Sequence, residues 1–323
     1  MQMTTAVMKF PDGLDQGIFS KVFRPGALTF GLIAPLEGYP ESAIPTMHQH
    51  TELAKQADEG GFSAIWLRDV PFFDPSFGDV GQIYDPMVYG AWLAAATRNI
   101  AIGTAGIVLP LRDPLIVAKQ ATSLDHLTGG RFLLGLSTGD RPIEYPAFGS
   151  DFNNRSERFR AAHALLRVVT EQSFPIHESA FYGSLEGALD LIPKPFQARL
   201  PMLAIGRCGQ EIEWLASHLD GWIWHQSNFE QLPAVIDLWR KSCGPEVFKP
   251  YGYGAFFELD KDPNAPLRTG RGLHAGRNAL IDLWERQREE GVSHVALNLR
   301  LSQRAVSDTL DELAEYVIPL FAC

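Results

Sequence analysis

Cysteine is scarce in this chain and badly placed for disulfide or metal chemistry. Cys208, Cys243 and Cys323 are odd in number, far apart, and form no C-x-x-C pair. Neither a disulfide framework nor a zinc site is indicated, and a reducing cytoplasm is the expected compartment. Basic charge is also short: 28 Lys and Arg stand against 38 Asp and Glu, a formal net charge of -10. Nucleic acid or an anionic membrane would call for a basic face, which this balance does not favour, so neither is an expected partner. No N-terminal apolar stretch has signal-peptide length, and none elsewhere approaches ~18 uninterrupted apolar residues, so no export and no membrane span are expected. His48 and His50 are two apart, a spacing that keeps them off a common helical face, and the other seven histidines are scattered; no metal is expected. A G-x-S-x-G elbow for a serine hydrolase is missing too.

What is present is alternation. At 323 residues and 46% hydrophobic, the chain can bury a large core as two domains or as one α/β barrel. Eight short apolar runs read as strands: 28–34, 64–67, 100–104, 132–137, 202–205, 222–225, 253–259 and 294–299. Each precedes a helical pattern. Two helices show the period well, through Val117, Ala121, Leu124 and Leu127, and through Val306, Leu310, Leu313, Val317 and Leu320. Asp113-Pro114 reads as an N-cap followed by proline at the first helical position. Eight β-then-α units predict a single (β/α)8 TIM barrel over residues 1–323, with a two-domain doubly wound sheet as the alternative. Residues 1–26 form an N-terminal arm, and 69–84, 173–199 and 260–274 are insertions. The first, rich in Phe72, Phe73 and Phe77, and the third follow strands and are candidate lids.

In a barrel, chemistry gathers where strands end. Here those positions read Arg68-Asp69, Thr104-Ala105-Gly106, Ser137-Thr138-Gly139-Asp140, Gly206-Arg207-Cys208-Gly209, His225-Gln226-Ser227-Asn228, and Asn298 with Arg300. Small, hydroxylic, amide and cationic groups of this kind suit a flat cofactor carrying a phosphate better than a metal or a glycosidase carboxylate pair. The stretch "AIGRCGQEIEWL" sharpens this. A dinucleotide fingerprint needs G-x-G-x-x-G and an acid ending the next strand. The chain offers G-x-x-G instead, and Asp220 precedes the next strand. A terminal phosphate fits this loop better than a pyrophosphate, with Arg207 as a guanidinium fork.

The ordered segments "AIWLRD", "AAATRNIAIGTAGIVLPLRDP", "LDHLTGGRFLLGLSTGD", "AFGSDFNNRSER" and "EWLASHLDGW" resemble the bacterial luciferase-like flavin monooxygenases over most of the chain. The resemblance implies a (β/α)8 barrel using reduced FMN, or F420 in one branch. By position it makes Ala105-Gly106 the flavin-contacting dipeptide, often a non-proline cis peptide. It makes Arg207, Cys208, Gln210 and Glu211 the phosphate loop, with Gly206 and Gly209 as its turns and Ser137, Thr138 and Gly139 on the neighbouring strand. Thr138 stands where the luciferases carry an arginine, a charge that Arg207 restores. Where the luciferases carry a catalytic Glu-His after the second strand, this chain has Asp69-Val70, so light-emitting aldehyde oxidation is not implied. His225, then Asn298 and Arg300, then Asp69 are the expected polar groups at the reacting face, Arg300 with an acidic substrate, Asp69 or Asp140 as its partner. The expected activity is an FMNH2-using monooxygenase acting on a small molecule with O2. A separate NAD(P)H-flavin reductase and a homodimeric state are expected with it. The alternatives are an F420-dependent dehydrogenase and a non-catalytic flavin-binding protein.

Overall fold

The computed structural model describes residues 8–225 and 229–321. Its centre is a closed ring of eight parallel strands: β1 (Thr29–Ile33), β2 (Ala64–Leu67), β3 (Ala101–Thr104), β4 (Phe132–Ser137), β5 (Met202–Ile205), β6 (Gly221–His225), β7 (Tyr251–Leu259) and β8 (His294–Asn298). Neighbours in sequence are neighbours in space, and β8 returns to β1 through pairs such as Thr29↔His294 and Ile33↔Asn298. The predicted runs match these strands to within two residues at each end. This is the (β/α)8 barrel.

Period-two alternation sorts each strand into two faces. On β1, Phe30 and Leu32 point outward into the layer shared with the helices, where Phe30 packs on Trp284 and Phe321. On β2, Ile65 and Leu67 do the same, while Ala64 and Trp66 point into the barrel with Ala101, Leu133, Leu203 and Ala296. Trp66 fits because its neighbours are small. A Cβ on Gly103 would stand 2.4 Å from its ring. The N-terminal arm closes this end of the barrel: Ile18, Phe19, Val22 and Phe23 join the same interior cluster.

Helix starts follow their caps. Asp113 accepts from the Leu115 and Ile116 N–H groups and opens the helix Pro114–Leu127, and Asp85 does the same for Pro86–Ala96. Two periodic positions depart from the expected pattern. Leu127 is 69% exposed because Thr122 and Asp125 take the inward positions near the end of that helix. Leu320 is also exposed, since the last long helix stops at Tyr316 and a short turn, Ile318–Phe321, buries Phe321 instead. Ile176–Ser179 and Gly183–Glu186 form an antiparallel pair on the outside of the barrel. Leu273–Ala275 lies beside the far end of β7, with Arg268–Thr269 paired to it.

At the N-terminal end of the strands, His294 is completely buried. Trp66 Nε1 donates to its Nε2 at 2.8 Å, and Nδ1 stands 2.8 Å from Thr29 Oγ1, which itself donates to the Val22 carbonyl. Indole N–H is only a donor, so Nε2 must accept and Nδ1 must carry the proton. Burial lowers the His294 pKa to about 3, and the ring is neutral. Arg131, whose guanidinium binds the Thr128, Ile100, Ala94 and Thr97 carbonyls, and Asp125, which accepts from Phe196 N–H, likewise hold the barrel's underside together.

Candidate functional site

The strand carboxyl ends open on a cavity of about 700 Å3. Asp69, Ala105, Gly106, Ser137, Thr138, Gly139, Gly206, Arg207, Cys208, Gly209, His225 and Arg300 all line it. Gln210 and Asn298 are not among its lining residues. Gln226, Ser227 and Asn228, also singled out at the end of β6, lie outside the described residues. A second cavity of about 590 Å3 lies at the opposite end, against Tyr251 and Val292, away from every strand-end loop.

The loop after β5 is the most heavily pinned part of the wall. Gly206, Cys208 and Gly209 all have positive φ, at 69°, 51° and 65°, which curls the backbone so tightly that glycine is required at two of the positions. Gly206 is tied to β6 from both sides: its N–H donates to Ile223, and Trp222 Nε1 donates to its carbonyl. Cys208 turns its thiol inward to the Leu136 carbonyl, and burial pushes its pKa up to about 12. It contributes backbone to the cavity, not a reactive sulfur. Gln210 holds the loop from behind, accepting from Arg160 and donating to the Ser156 and Cys208 carbonyls. Arg207 keeps its head partly exposed at 37%, 3.5 Å from Glu211 and 6.0 Å from the Trp224 ring. Glu211 makes no side-chain cap on the following helix, and its exposed carboxylate stands 3.5 Å from Arg207. An ideal Cβ at Gly206 would meet nothing closer than Trp224 at 4.0 Å. Space is left beside the loop.

Close beside the loop, where a Cβ on Gly106 would stand 2.7 Å from Ile205, the Ala105–Gly106 peptide is cis. Ser137 Oγ donates to the Gly106 carbonyl at 3.1 Å, and Tyr145 donates to the Thr138 carbonyl. Gly139 leaves no room for a side chain, since a Cβ would stand 2.8 Å from Val108.

Of the four expected polar groups, His225 is the one with a free face. It is exposed at the end of β6, edge-on to Phe256 at 5.9 Å. Surrounding protein lowers its pKa and a hydrogen bond with Gly254 opposes this, leaving the imidazole neutral at pH 7. Asp69 lines the cavity with both oxygens taken, by Arg112 Nε and NH2 and by Val108 N–H. Asn298 caps the Arg300 N–H at 3.1 Å. Arg300 pairs with neither Asp69 nor Asp140. Its guanidinium is 3.5 Å from Asp79 and donates to the Ser42 and Gly78 carbonyls.

Asp79 is the residue that strand-end reasoning missed. It lies in the 69–84 segment, not at a strand end, yet Arg68 grips it with both terminal nitrogens, at 2.6 and 3.3 Å, and Tyr39 and Gly81 N–H add two bonds. Burial pushes its pKa up, but Arg68, Gly81 and Arg300 outweigh burial and hold the carboxyl below its ordinary range. Arg141 fastens the same segment, donating to the Asp79 and Phe72 carbonyls with Phe77 under its guanidinium at 4.4 Å. Phe77 lines the cavity, while Phe72 and Phe73 are half exposed. Glu144 and Trp224 complete the wall. Trp224 stacks on Trp222 and offers a flat aromatic face, a role that the run "GWIW" carries in sequence but does not distinguish from core packing.

The sequence profile of the luciferase-like monooxygenases matches residues 28–248, from β1 to just before β7. The chain belongs to the luciferase-like monooxygenase family. The family is described as one of luciferase-like monooxygenases. Over 217 residues it is 26% identical to the alkanal monooxygenase alpha chain of Photorhabdus luminescens, covering 66% of this chain and 56% of that one. The chain spans about half the length of the curated relatives it matches. Among solved structures, an F420-dependent secondary alcohol dehydrogenase with an F420-acetone adduct superposes with a TM-score of 0.74 at 19% identity, covering 91% of this chain and 99% of that one. The oxygenating constituent of 3,6-diketocamphane monooxygenase from Pseudomonas putida, in complex with FMN, gives 0.72 at 13% identity, covering 92% and 99%. At these identities the superpositions speak for the fold. Among the described residues, no group of His, Cys, Asp and Glu could hold a metal ion, and no helix is long and apolar enough to cross a membrane.

Proposed function

We propose that this member of the family is an FMN-dependent monooxygenase that takes reduced flavin from a separate NAD(P)H-flavin reductase and oxidises a small organic substrate with O2. The observation that carries the reading is the loop 206–209. Three positive-φ positions curl its backbone beside open space, and one partly exposed arginine stands at its edge. Curled backbone of this kind presents N–H groups to an anion, and a guanidinium fork matches a phosphate. These residues fit a flavin phosphate, with Ala105, Gly106 and Ser137 on the neighbouring strand ends and Trp224 beside it.

When bound, the flavin would supply the electron and oxygen chemistry. The chain's own contribution is to hold it and keep its surroundings fixed. Arg207 and the loop backbone bind the phosphate. Asp69 and Asn298 act indirectly, Asp69 by fixing Val108 N–H and Arg112, Asn298 by fixing Arg300. Neutral His225, with its N–H engaged by Gly254, offers its other nitrogen to accept a proton at the rim. The segment 69–84, fastened by Arg68, Arg300 and Arg141, excludes water from that side. An F420-dependent dehydrogenation at the same site is the reading to separate from this one. Titration of the purified protein with FMN, reduced FMN and F420, followed by fluorescence, decides it. Micromolar binding of FMN in either redox state is expected, and with reduced FMN a substrate-dependent uptake of O2. Binding of F420 alone would overturn the proposal.

A further inference from the structure

We propose that Glu144 is a proton donor of this cavity, a carboxylic acid on its wall that hands its proton to an oxygen atom of the bound substrate. The inference rests on reading the cavity as the reaction site. Glu144 sits in the 3-10 segment Pro142–Phe148, which follows β4, and lines the cavity while remaining only 6% exposed. Its Oε1 is buried with no hydrogen-bond partner among the described residues. The other two buried carboxylates on this wall are accounted for: Asp69 is held by Arg112 and Asp79 by Arg68. For Glu144 the cation at hand is Arg141, at 3.9 Å, beyond hydrogen-bond reach, and that guanidinium is already donating to the Asp79 and Phe72 carbonyls.

The groups facing Glu144 come from three directions. Arg141 lies at the start of its own segment, Asp140 at the end of β4, and Asp69 and Asp74 in the segment after β2. Burial holds the proton on Glu144 first, Arg141 opposes it, and the three carboxylates reinforce it, so its pKa lies above the ordinary glutamate value. A buried carboxyl that lines the cavity, has one oxygen unpartnered among the described residues and holds its proton more tightly than an ordinary glutamate has the makings of a general acid. In the step proposed, the carboxyl O–H bond breaks and an O–H bond forms on the substrate oxygen, with no change in electron count. The carboxylate left behind faces Arg141, and water returns the proton afterwards. Donation fails as the pH rises through the Glu144 pKa.

Isotope-edited infrared difference spectra of the cofactor-free protein test where the proton resides. On titration upward from acid, the wild type is expected to keep a protonated carboxyl signal above the pH at which ordinary glutamates ionise, and E144Q removes it. D125N, which alters the other buried carboxyl with a raised pKa, should leave that component in place. With reduced FMN bound, E144Q should lower kcat by about 100-fold or more, change FMN affinity by less than about threefold, and lose the alkaline limb of the pH profile. E144D should recover part of the rate with that limb displaced. Circular dichroism and thermal melting check that E144Q is folded. A spectrum with no protonated carboxyl assignable to Glu144, or a pH profile unmoved in E144Q, overturns the proposal. Failure of the wild type to bind FMN overturns the flavin reading instead, and the infrared result still decides whether Glu144 carries the proton.

Discussion

Two polar clusters at opposite ends of the barrel are buried by opposite means. At the N-terminal end, Thr29, Trp66 and His294 form a neutral chain in which each donor meets an acceptor. At the C-terminal end, Arg68, Asp79, Arg300 and Tyr39 form a charged cluster beside an open cavity, with the Arg300 Nε without a hydrogen-bond partner among the described residues. Neutral networks rigidify at little electrostatic cost, whereas a buried ion pair is costly to assemble and more costly to break. The chain through His294 is neutral, while the Arg167–Asp220–Arg199 ion pairs beside it at the same end hold loops to the barrel. The end where the chain must fasten a segment over a cavity is charged.

The largest effect should come from breaking the charged end. Asp79→Ala removes the one carboxylate shared by Arg68 and Arg300 and is expected to cost about 3 kcal/mol or more of unfolding free energy. Urea unfolding checks it. Limited proteolysis should show cleavage of the 69–84 segment rising in parallel, and a variant as stable and as protected as the wild type would contradict the role given to Asp79.

A smaller effect is expected at the neutral chain, with a different pH signature. His294→Leu leaves the Trp66 N–H without its acceptor, a loss of about 2 kcal/mol at pH 8. The folded pKa of His294 is lowered to about 3, below the ~6.5 of an unfolded histidine. Its contribution is therefore complete above pH ~6.5 and is lost as pH falls toward 3, at about 1.4 kcal/mol per pH unit. Asp79, also lowered, loses its contribution only below the ~3.9 of an unfolded aspartate. Stability measured from pH 8 to 4 should show a shallower acid decline in His294→Leu than in the wild type, the remainder coming from His225, also lowered, and from His50 and His163, lowered to about 4 and about 3. Asp79→Ala should keep the wild-type slope over that range. Equal slopes in all three proteins would remove His294 as the acid-sensitive element.

How much of this was legible in sequence follows the same division. Strands announce themselves through local periodicity, so all eight were placed, and the glycines of the 206–209 loop were visible because tight turns demand them. Leu127 and Leu320 broke the pattern where helix ends let other residues take the inward position. Asp79 and Glu144 were invisible for a different reason. Each owes its environment to side chains far along the chain or in another segment, Arg300 for Asp79 and Asp69 for Glu144, and no short-range spacing encodes such a meeting. Arg300 shows the limit from the other side: its position at a strand end was readable, its partner was not.

The smallest effect tests the cavity itself. Arg207 and Thr138 lie on adjacent strand ends and both line the cavity, but only Arg207 brings charge, with a head held by Glu211 and partly open to solvent. Thr138 is buried, and the bond that anchors it runs through its backbone carbonyl to Tyr145, which a side-chain change leaves intact. A charge-assisted hydrogen bond to a phosphate is worth about 1.5–3 kcal/mol. Arg207→Ala should therefore raise the FMN dissociation constant by about 10- to 100-fold, and Thr138→Ala by less than about threefold. The Arg207 effect should shrink for riboflavin, which lacks the phosphate, and that contrast separates a phosphate contact from general damage to the loop. Equal losses for FMN and riboflavin would mean that Arg207 only props the loop, and the cation that meets the phosphate would have to be sought elsewhere on the cavity wall.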